Sequence, residues 1–177
     1  MKFKETNIEN LYLINNKESI DERGNFVKTF HFTTFSNFLK FEIKEQYFTI
    51  SKKNTIRGLH FQKRPYEHSK LIYCINGSLI DVVIDLRKKS KTFLNIFSHK
   101  LSSKSTQSIL IPYGCAHGFL SLEDNTSILY NVDSEYDKEN DSGILYSSID
   151  FDWRISDPIV SDRDKGFDLL KDFKNFF

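Results

Sequence analysis

Cysteine is scarce in this chain of 177 residues, which carries two, Cys74 and Cys115. Both sit in apolar, strand-like stretches, where the commoner outcome is a buried free thiol that behaves as a small hydrophobe. A reducing cytoplasm is the expected compartment. An excess of charge of one sign is lacking as well: 25 basic residues face 24 acidic ones, a net charge of +1. That balance removes any general electrostatic case for nucleic acid or an anionic membrane as partner. No stretch approaches the ~18 consecutive apolar residues of a membrane span. The opening MKFKETNIENLYLINN has neither an apolar run of signal length nor a small-residue cleavage site. A soluble protein, not obviously exported, is expected. Repeats, low-complexity tracts and Pro/Gly/Ser linkers are also missing, and 177 residues suit one domain. A single domain over 1–177 is expected.

Aromatic residues are plentiful, with 17 Phe and 8 Tyr, and they favour strands over helices. Leu71–Ile75 and Leu79–Leu86 flank Asn76-Gly77, the dipeptide best suited to a tight hairpin turn. In the second run Ile80, Val82, Ile84 and Leu86 share one face, while Asp81 and Asp85 share the other with Leu79 and Val83. Further apolar runs at Phe93–Phe97, Ser108–Ile111, Phe119–Leu122 and Ile128–Val132 have the spacing of a sandwich or barrel. Helices are expected only at the periphery, one over Thr33–Leu39 and one in the tail, where Phe167, Leu170, Phe173 and Phe177 recur at roughly helical spacing.

Two segments carry chemistry. In Arg57-Gly58-Leu59-His60-Phe61-Gln62 an imidazole and an amide alternate on one strand face near a fixed positive charge, a composition that suits an anionic substrate. Taken alone, the same residues also describe a solvated strand end. In Pro112-Tyr113-Gly114-Cys115-Ala116-His117 the proline and glycine make a sharp corner that delivers His117 onto the next strand. This P-x-G-x-x-H pattern resembles the second motif of cupins, small double-stranded β-helix (jelly-roll) barrels. Metal-binding cupins carry H-x-H in their first motif, and here the matching pair is His60 and Gln62. An amide is a poor ligand for such metals, so no catalytic metal is expected. Glu67 and His68 remain candidates for a weaker site, or simply an exposed polar loop.

The ordered set of motifs resembles the dTDP-4-dehydrorhamnose 3,5-epimerases and their relatives. It runs from Asp21-Glu22-Arg23-Gly24 through Arg57 to Gln62, Lys70-Leu71, Asn76-Gly77, Asp81 to Arg87 and Ser90. It continues through Ala116-His117-Gly118-Phe119, Tyr130, Tyr136, Trp153 and Ser161-Asp162-Arg163-Asp164. The resemblance implies an all-β cupin-type barrel and a cofactor-free enzyme that inverts C3, C5 or both beside the C4 ketone of a nucleotide-linked sugar, for surface polysaccharide synthesis. The ketone acidifies its neighbouring C–H groups, so the reaction needs a base on one face of the sugar and an acid on the other.

By the same resemblance His60 is the base, Asp164 the carboxylate that orients it, Lys70 the cation at the C4 oxygen, and Tyr130 the acid on the opposite face. Arg23 and Arg57 match arginines that pair with the diphosphate, a task suited to a planar guanidinium. Tyr136 matches an aromatic near the nucleotide, and Phe26, Gln62 and His117 belong to the substrate-binding set. The family's homodimers share strands, so that the segment around Arg23 completes the neighbour's pocket. Thr29–Phe32 is expected to be a strand whose edges need such cover.

The chain departs from the family at the nucleotide end. Lys28 replaces a glutamate, and Glu45-x-Tyr47-x-Thr49-x-Ser51 replaces Q-x-N-x-S-x-S. A charge-neutralising Lys28–Glu45 pair is one expectation, and a branch acting on GDP-linked 4-keto heptoses is another. A metal-dependent small-molecule cupin and a non-catalytic sugar-binding module are the other classes in view.

Overall fold

In the computed structural model, which describes residues 1–38, 41–174 and 177, strands dominate. In chain order they are β1 (Lys2–Glu5), β2 (Tyr12–Asn15), β3 (Lys17–Asp21), β4 (Gly24–Lys28), β5 (Glu45–Ser51), β6 (Ile56–Gln62) and β7 (Lys70–Asn76). There follow β8 (Ser78–Asp85), β9 (Ile96–Ser102), β10 (Gln107–Ile111), β11 (Cys115–Ser121), β12 (Thr126–Val132) and β13 (Asp141–Gly143). Two short helices, α1 (Phe32–Phe35) and α2 (Asp162–Lys165), complete the set with two 3-10 turns.

The order β1-β2-β10-β7-β12-β5 makes one six-stranded sheet and β13-β6-β11-β8-β9 a five-stranded one, with β3 and β4 forming a separate hairpin. The sheets face each other across a core that includes Ile72, Ile109 and Ile128 from the first and Leu79, Val83 and Phe119 from the second. Each outer face is covered too. Phe35 and Phe41 pack on Ile14, Leu71 and Leu110 of the first sheet. The carboxyl-terminal segment lays Ile149, Trp153 and Val160 on Val82 and Ile84 of the second. Burial on both faces explains why β8 reads as almost continuously apolar. The result is the expected cupin-type jelly-roll barrel, with Cys74 and Cys115 as buried free thiols.

Several local expectations change. Asn76-Gly77 does not close a hairpin: β7 pairs with β10 and β12, and β8 with β9 and β11, so the turn is a corner between sheets. Gly77 is needed there, with φ of +74° and a Cβ position only 2.6 Å from Thr126 Oγ1. The pattern specifies the bend; the strands' partners come from far along the chain. Thr29–Phe32 is not a strand, because β4 ends at Lys28 and α1 starts at Phe32. Phe30 packs on the rings of Phe35 and Phe41, at centroid distances of 5.0 and 6.2 Å, which draws the chain inward. The helix expected over Thr33–Leu39 is the short α1, and Leu39 lies outside the described residues.

Phe93 and Leu94 precede β9 rather than joining it. Ser90 and Thr92 both donate to Asp85 Oδ2 at 2.7 Å and fold that stretch back on itself. Among the described residues from Phe167 onward, the tail has one 3-10 turn, Leu170–Asp172, in place of the expected helix. Its aromatic residues serve packing instead, with Phe173 and Phe177 edge-on to Phe61.

Candidate active site

A cavity of about 360 Å³ opens between the two sheets. From the five-stranded sheet β6 contributes Arg57, His60 and Gln62, and β11 contributes His117. From the six-stranded sheet come Lys70 on β7, Tyr130 on β12, and Glu45 and Tyr47 on β5. His60 and His117 are direct cross-strand partners, so both point to the same side.

The local chain path is set by Gly58, which has φ of +122°. A Cβ there would stand 2.6 Å from Gly118 Cα, so only glycine lets β6 and β11 approach this closely. Its N–H donates to Asp164 Oδ2 at 2.9 Å, and His60 Nε2 lies 2.9 Å from Asp164 Oδ1. Asp164 is presented by α2, whose N-cap Ser161 accepts the Asp164 N–H at 3.2 Å. One buried carboxylate thus fixes both the backbone and the imidazole of the Arg57–Gln62 segment.

Burial pushes the His60 imidazole below its usual 6.5, with Asp164 opposing the shift. Burial also acts to raise Asp164, but the His60 and Gly58 hydrogen bonds outweigh it and hold the carboxyl below 3.8. At neutral pH the pair is therefore a neutral imidazole on a carboxylate. With Nε2–H donating to Asp164, the free lone pair is on Nδ1.

The opposite wall has different chemistry. Lys70 is buried and its Nζ donates to the His60 carbonyl at 3.1 Å. Burial lowers its pKa from 10.5 to about 8, with Asp141 and Asp81 pulling upward, so it remains largely an ammonium at pH 7. Tyr130 is also buried, and burial followed by the proximity of Tyr47 raises it well above 10. It is a phenol, able to donate but not to act as a resting base. The ring of Tyr47 lies on it at 4.9 Å and 14°.

Some expected residues take unexpected partners. Gln62 spends its amide on the backbone, with Oε1 accepting from Asp137 N at 2.7 Å and Nε2 donating to Tyr66 O at 2.8 Å. Glu67 pairs with Arg64, and His68 Nδ1 lies 3.0 Å from Gln62 Nε2. His68 lines the cavity and burial lowers its pKa to about 3, so it is neutral. Among the described residues no group of three or more His, Cys, Asp or Glu could hold a metal ion. Arg57 Nε donates to Ser51 Oγ at 3.1 Å, and the Tyr136 N–H donates to Glu45 Oε2 at 2.9 Å.

No Lys28–Glu45 ion pair forms within the chain. Arg23, Phe26 and Lys28 all lie on or at the turn of the β3–β4 hairpin and do not line the cavity, and Arg23 closes onto Asp21 at 2.6 Å. Asp81 and Arg163 were among the residues of the site outside the expected set. Asp81 binds His117, Oδ2 to Nε2 at 2.7 Å, with both side chains buried. Its one signal in the sequence is an acid on the inward face of an apolar strand. Arg163 lines the cavity, pairs with Asp141 at 2.6 Å and covers the Phe167 ring at 5.2 Å.

A jelly-roll barrel with a histidine–carboxylate pair on one wall and a phenol and an ammonium on the other has the architecture of a cupin-type enzyme pocket. The family model for dTDP-4-dehydrorhamnose 3,5-epimerase matches residues 5–172. The dTDP-4-dehydrorhamnose 3,5-epimerase of Shigella flexneri is 35% identical over 168 residues, which are 93% of each chain. The crystal structure of the Bacillus anthracis dTDP-4-dehydrorhamnose 3,5-epimerase, with TDP and PPi bound, matches at a TM-score of 0.91 and 35% identity, covering 96% of this chain and 99% of that one. The Legionella pneumophila dTDP-6-deoxy-D-glucose-3,5-epimerase in complex with dTDP-4-keto-L-rhamnose matches at a TM-score of 0.92 and 28% identity, covering 98% and 94%. The chain belongs to the dTDP-4-dehydrorhamnose 3,5-epimerase family.

Proposed function

We propose that this protein inverts C3 and C5 beside the C4 ketone of a dTDP-linked 4-keto-6-deoxy sugar, acting as one cupin-like domain in the cytoplasm, without a cofactor, in deoxysugar synthesis for surface polysaccharide. The observation that carries the reading is the opposition of His60 on the five-stranded sheet to Tyr130 and Lys70 on the six-stranded one. His60 Nδ1 takes the proton from the carbon next to the ketone; the C–H electron pair forms a double bond to C4 as the carbonyl π pair moves onto the C4 oxygen, giving the enolate. Asp164 steadies the imidazolium and the Lys70 ammonium meets the enolate charge. Tyr130 then gives its proton to the same carbon from the other face as the carbonyl re-forms. Solvent resets both groups, His60 by loss of a proton and Tyr130 by gain of one. Arg57 and Arg163, on the cavity wall, hold the diphosphate.

A homodimer completes the site. The hairpin of β3 and β4 stands apart from both sheets with Ile20 and Phe26 exposed, and β5 is an edge strand with Phe48 and Ile50 exposed. Pairing the hairpin of one copy with the β5 edge of another covers these apolar side chains and brings Arg23, Phe26 and Lys28 toward a cavity.

A second reading, a GDP-linked 4-keto sugar, is favoured by Glu45 on the cavity wall. A carboxylate accepts the paired N–H donors of guanine, whereas thymine offers one. Incubation in D2O with dTDP-4-keto-6-deoxyglucose, and separately with a GDP-linked 4-keto sugar, tests both by NMR. Deuterium at C3 and C5 of the dTDP sugar is expected. Exchange only in the GDP sugar would select the second reading, and exchange in neither would refute the activity.

A further inference from the structure

We infer that Tyr47 is a positioning residue for Tyr130: its ring, laid flat on that of Tyr130, sets the angle at which the phenol meets the carbon it reprotonates. The inference rests on the epimerase reading above and gives Tyr47 a different task from the nucleotide contact expected of it.

Tyr47 and Tyr130 are directly opposite one another in the β5–β12 ladder. Cross-strand neighbours share a face, so the two rings are close by construction. Their geometry is that of a stack, 4.9 Å between centroids at 14°. From the five-stranded sheet the His117 ring stands steeply inclined to that of Tyr130, with centroids 6.1 Å apart at 63°, and His117 is itself fixed by Asp81 at 2.7 Å. Tyr130 is thus contacted by one ring from each sheet, stacked with Tyr47 and steeply inclined to His117. Such aromatic contacts are directional, and reacting groups must be aligned within a narrow range before a proton passes to carbon.

Exposure separates the two phenols. Tyr130 is 6% exposed and Tyr47 39%, so Tyr47 stands nearer the mouth with Tyr130 beneath it. One face of Tyr47 is already occupied by Tyr130, which limits what it can offer a nucleotide. The burial that raises Tyr47 to about 12 keeps it a neutral phenol across the working range, so its effect on Tyr130 comes from ring contact and not from a changing charge.

The test separates proton removal from inversion. In D2O with dTDP-4-keto-6-deoxyglucose, His60 alone suffices for deuterium wash-in, whereas net inversion also needs Tyr130. Tyr47→Ala and Tyr47→Leu are expected to lower the ratio of inversion to wash-in about tenfold, with wash-in kept within about threefold of wild type. Tyr47→Phe, which keeps the ring, is expected to restore the ratio to within about twofold. Retained wash-in in the same sample reports that the variant is folded.

An unchanged ratio in both Tyr47→Ala and Tyr47→Leu overturns the inference. So does a parallel loss of wash-in and inversion, or a Tyr47→Phe ratio as low as that of Tyr47→Ala. Absence of wash-in by the wild-type protein from both the dTDP sugar and a GDP-linked 4-keto sugar overturns the epimerase reading and this inference with it; wash-in from the GDP sugar alone moves the same comparison of variants to that substrate.

Discussion

Replacing Lys70 by methionine is expected to make the protein more stable and inactive. Lys70 is 5% exposed, and its pKa falls from 10.5 to about 8 chiefly through burial. A fall of that size corresponds to ~3 kcal/mol against the folded state while the lysine is charged in both states. Methionine has a similar shape and no charge to bury. Loss of the hydrogen bond from Nζ to the His60 carbonyl returns about 1 kcal/mol of that gain. The net expectation at pH 7 is about 2 kcal/mol, or a rise in Tm of about 4–8 °C for a chain of this size.

The pH dependence gives the sign a second check. Below pH 8 lysine is charged in both states and the burial penalty is complete. Between pH 8 and 10.5 the folded lysine loses its proton first, the unfolded state binds more protons, and the wild-type protein gains stability as pH rises. The advantage of Lys70→Met should therefore shrink by about 2 kcal/mol between pH 7 and 9.5. Urea melts of both proteins at the two pH values, with wash-in assays alongside, make the measurement. A variant less stable than wild type at pH 7, or an advantage that grows with pH, would refute the reasoning.

Three further outcomes are expected. The profile of kcat/KM against pH should be bell-shaped, rising through a pKa below 6.5 as His60 loses its proton and falling near 8 as Lys70 does. No fall between pH 7 and 9 would contradict the Lys70 assignment, and no acid limb anywhere below pH 6.5 would contradict that of His60. Gly58→Ala should destabilise by ~3 kcal/mol or more in denaturant melts, since its φ of +122° and the 2.6 Å approach to Gly118 Cα leave no room for a methyl group. Light scattering should give the mass of a dimer, and a charge introduced at exposed Phe48 on β5 should yield monomers. A monomeric wild-type protein would remove the shared-site proposal.

Much of the barrel was legible because alternating apolar residues and turn chemistry are local properties. β10, β11 and β12 lie where the apolar runs placed them, within a few residues. Strand pairing was not legible. Asn76-Gly77 carries the chemistry of a hairpin, yet the partners of β7 and β8 come from residues 96 to 132 and are chosen by burial on both faces of each sheet. The site divides in the same way. His60, Lys70, Tyr130, Asp164 and His117 were identified by their order along the chain and assemble around one cavity or its buried support. Asp81 was hidden because its role depends on a partner 36 residues away. Arg163 was overshadowed by the neighbouring Asp164, although its side chain reaches the cavity. Arg23, Phe26 and Lys28 sit on or at the turn of a hairpin that stands apart from both sheets, and within one chain they do not line the cavity.

The central claim is that a base and an acid act from opposite walls of one barrel. Its most direct test compares His60→Ala with Tyr130→Phe in D2O, using dTDP-4-keto-6-deoxyglucose and following both deuterium incorporation and configuration by NMR. His60→Ala should lose incorporation and inversion together, whereas Tyr130→Phe should keep incorporation and lose inversion. If Tyr130→Phe inverted the sugar at the wild-type rate, or His60→Ala still exchanged deuterium, the assignment of base and acid to these two walls would be wrong.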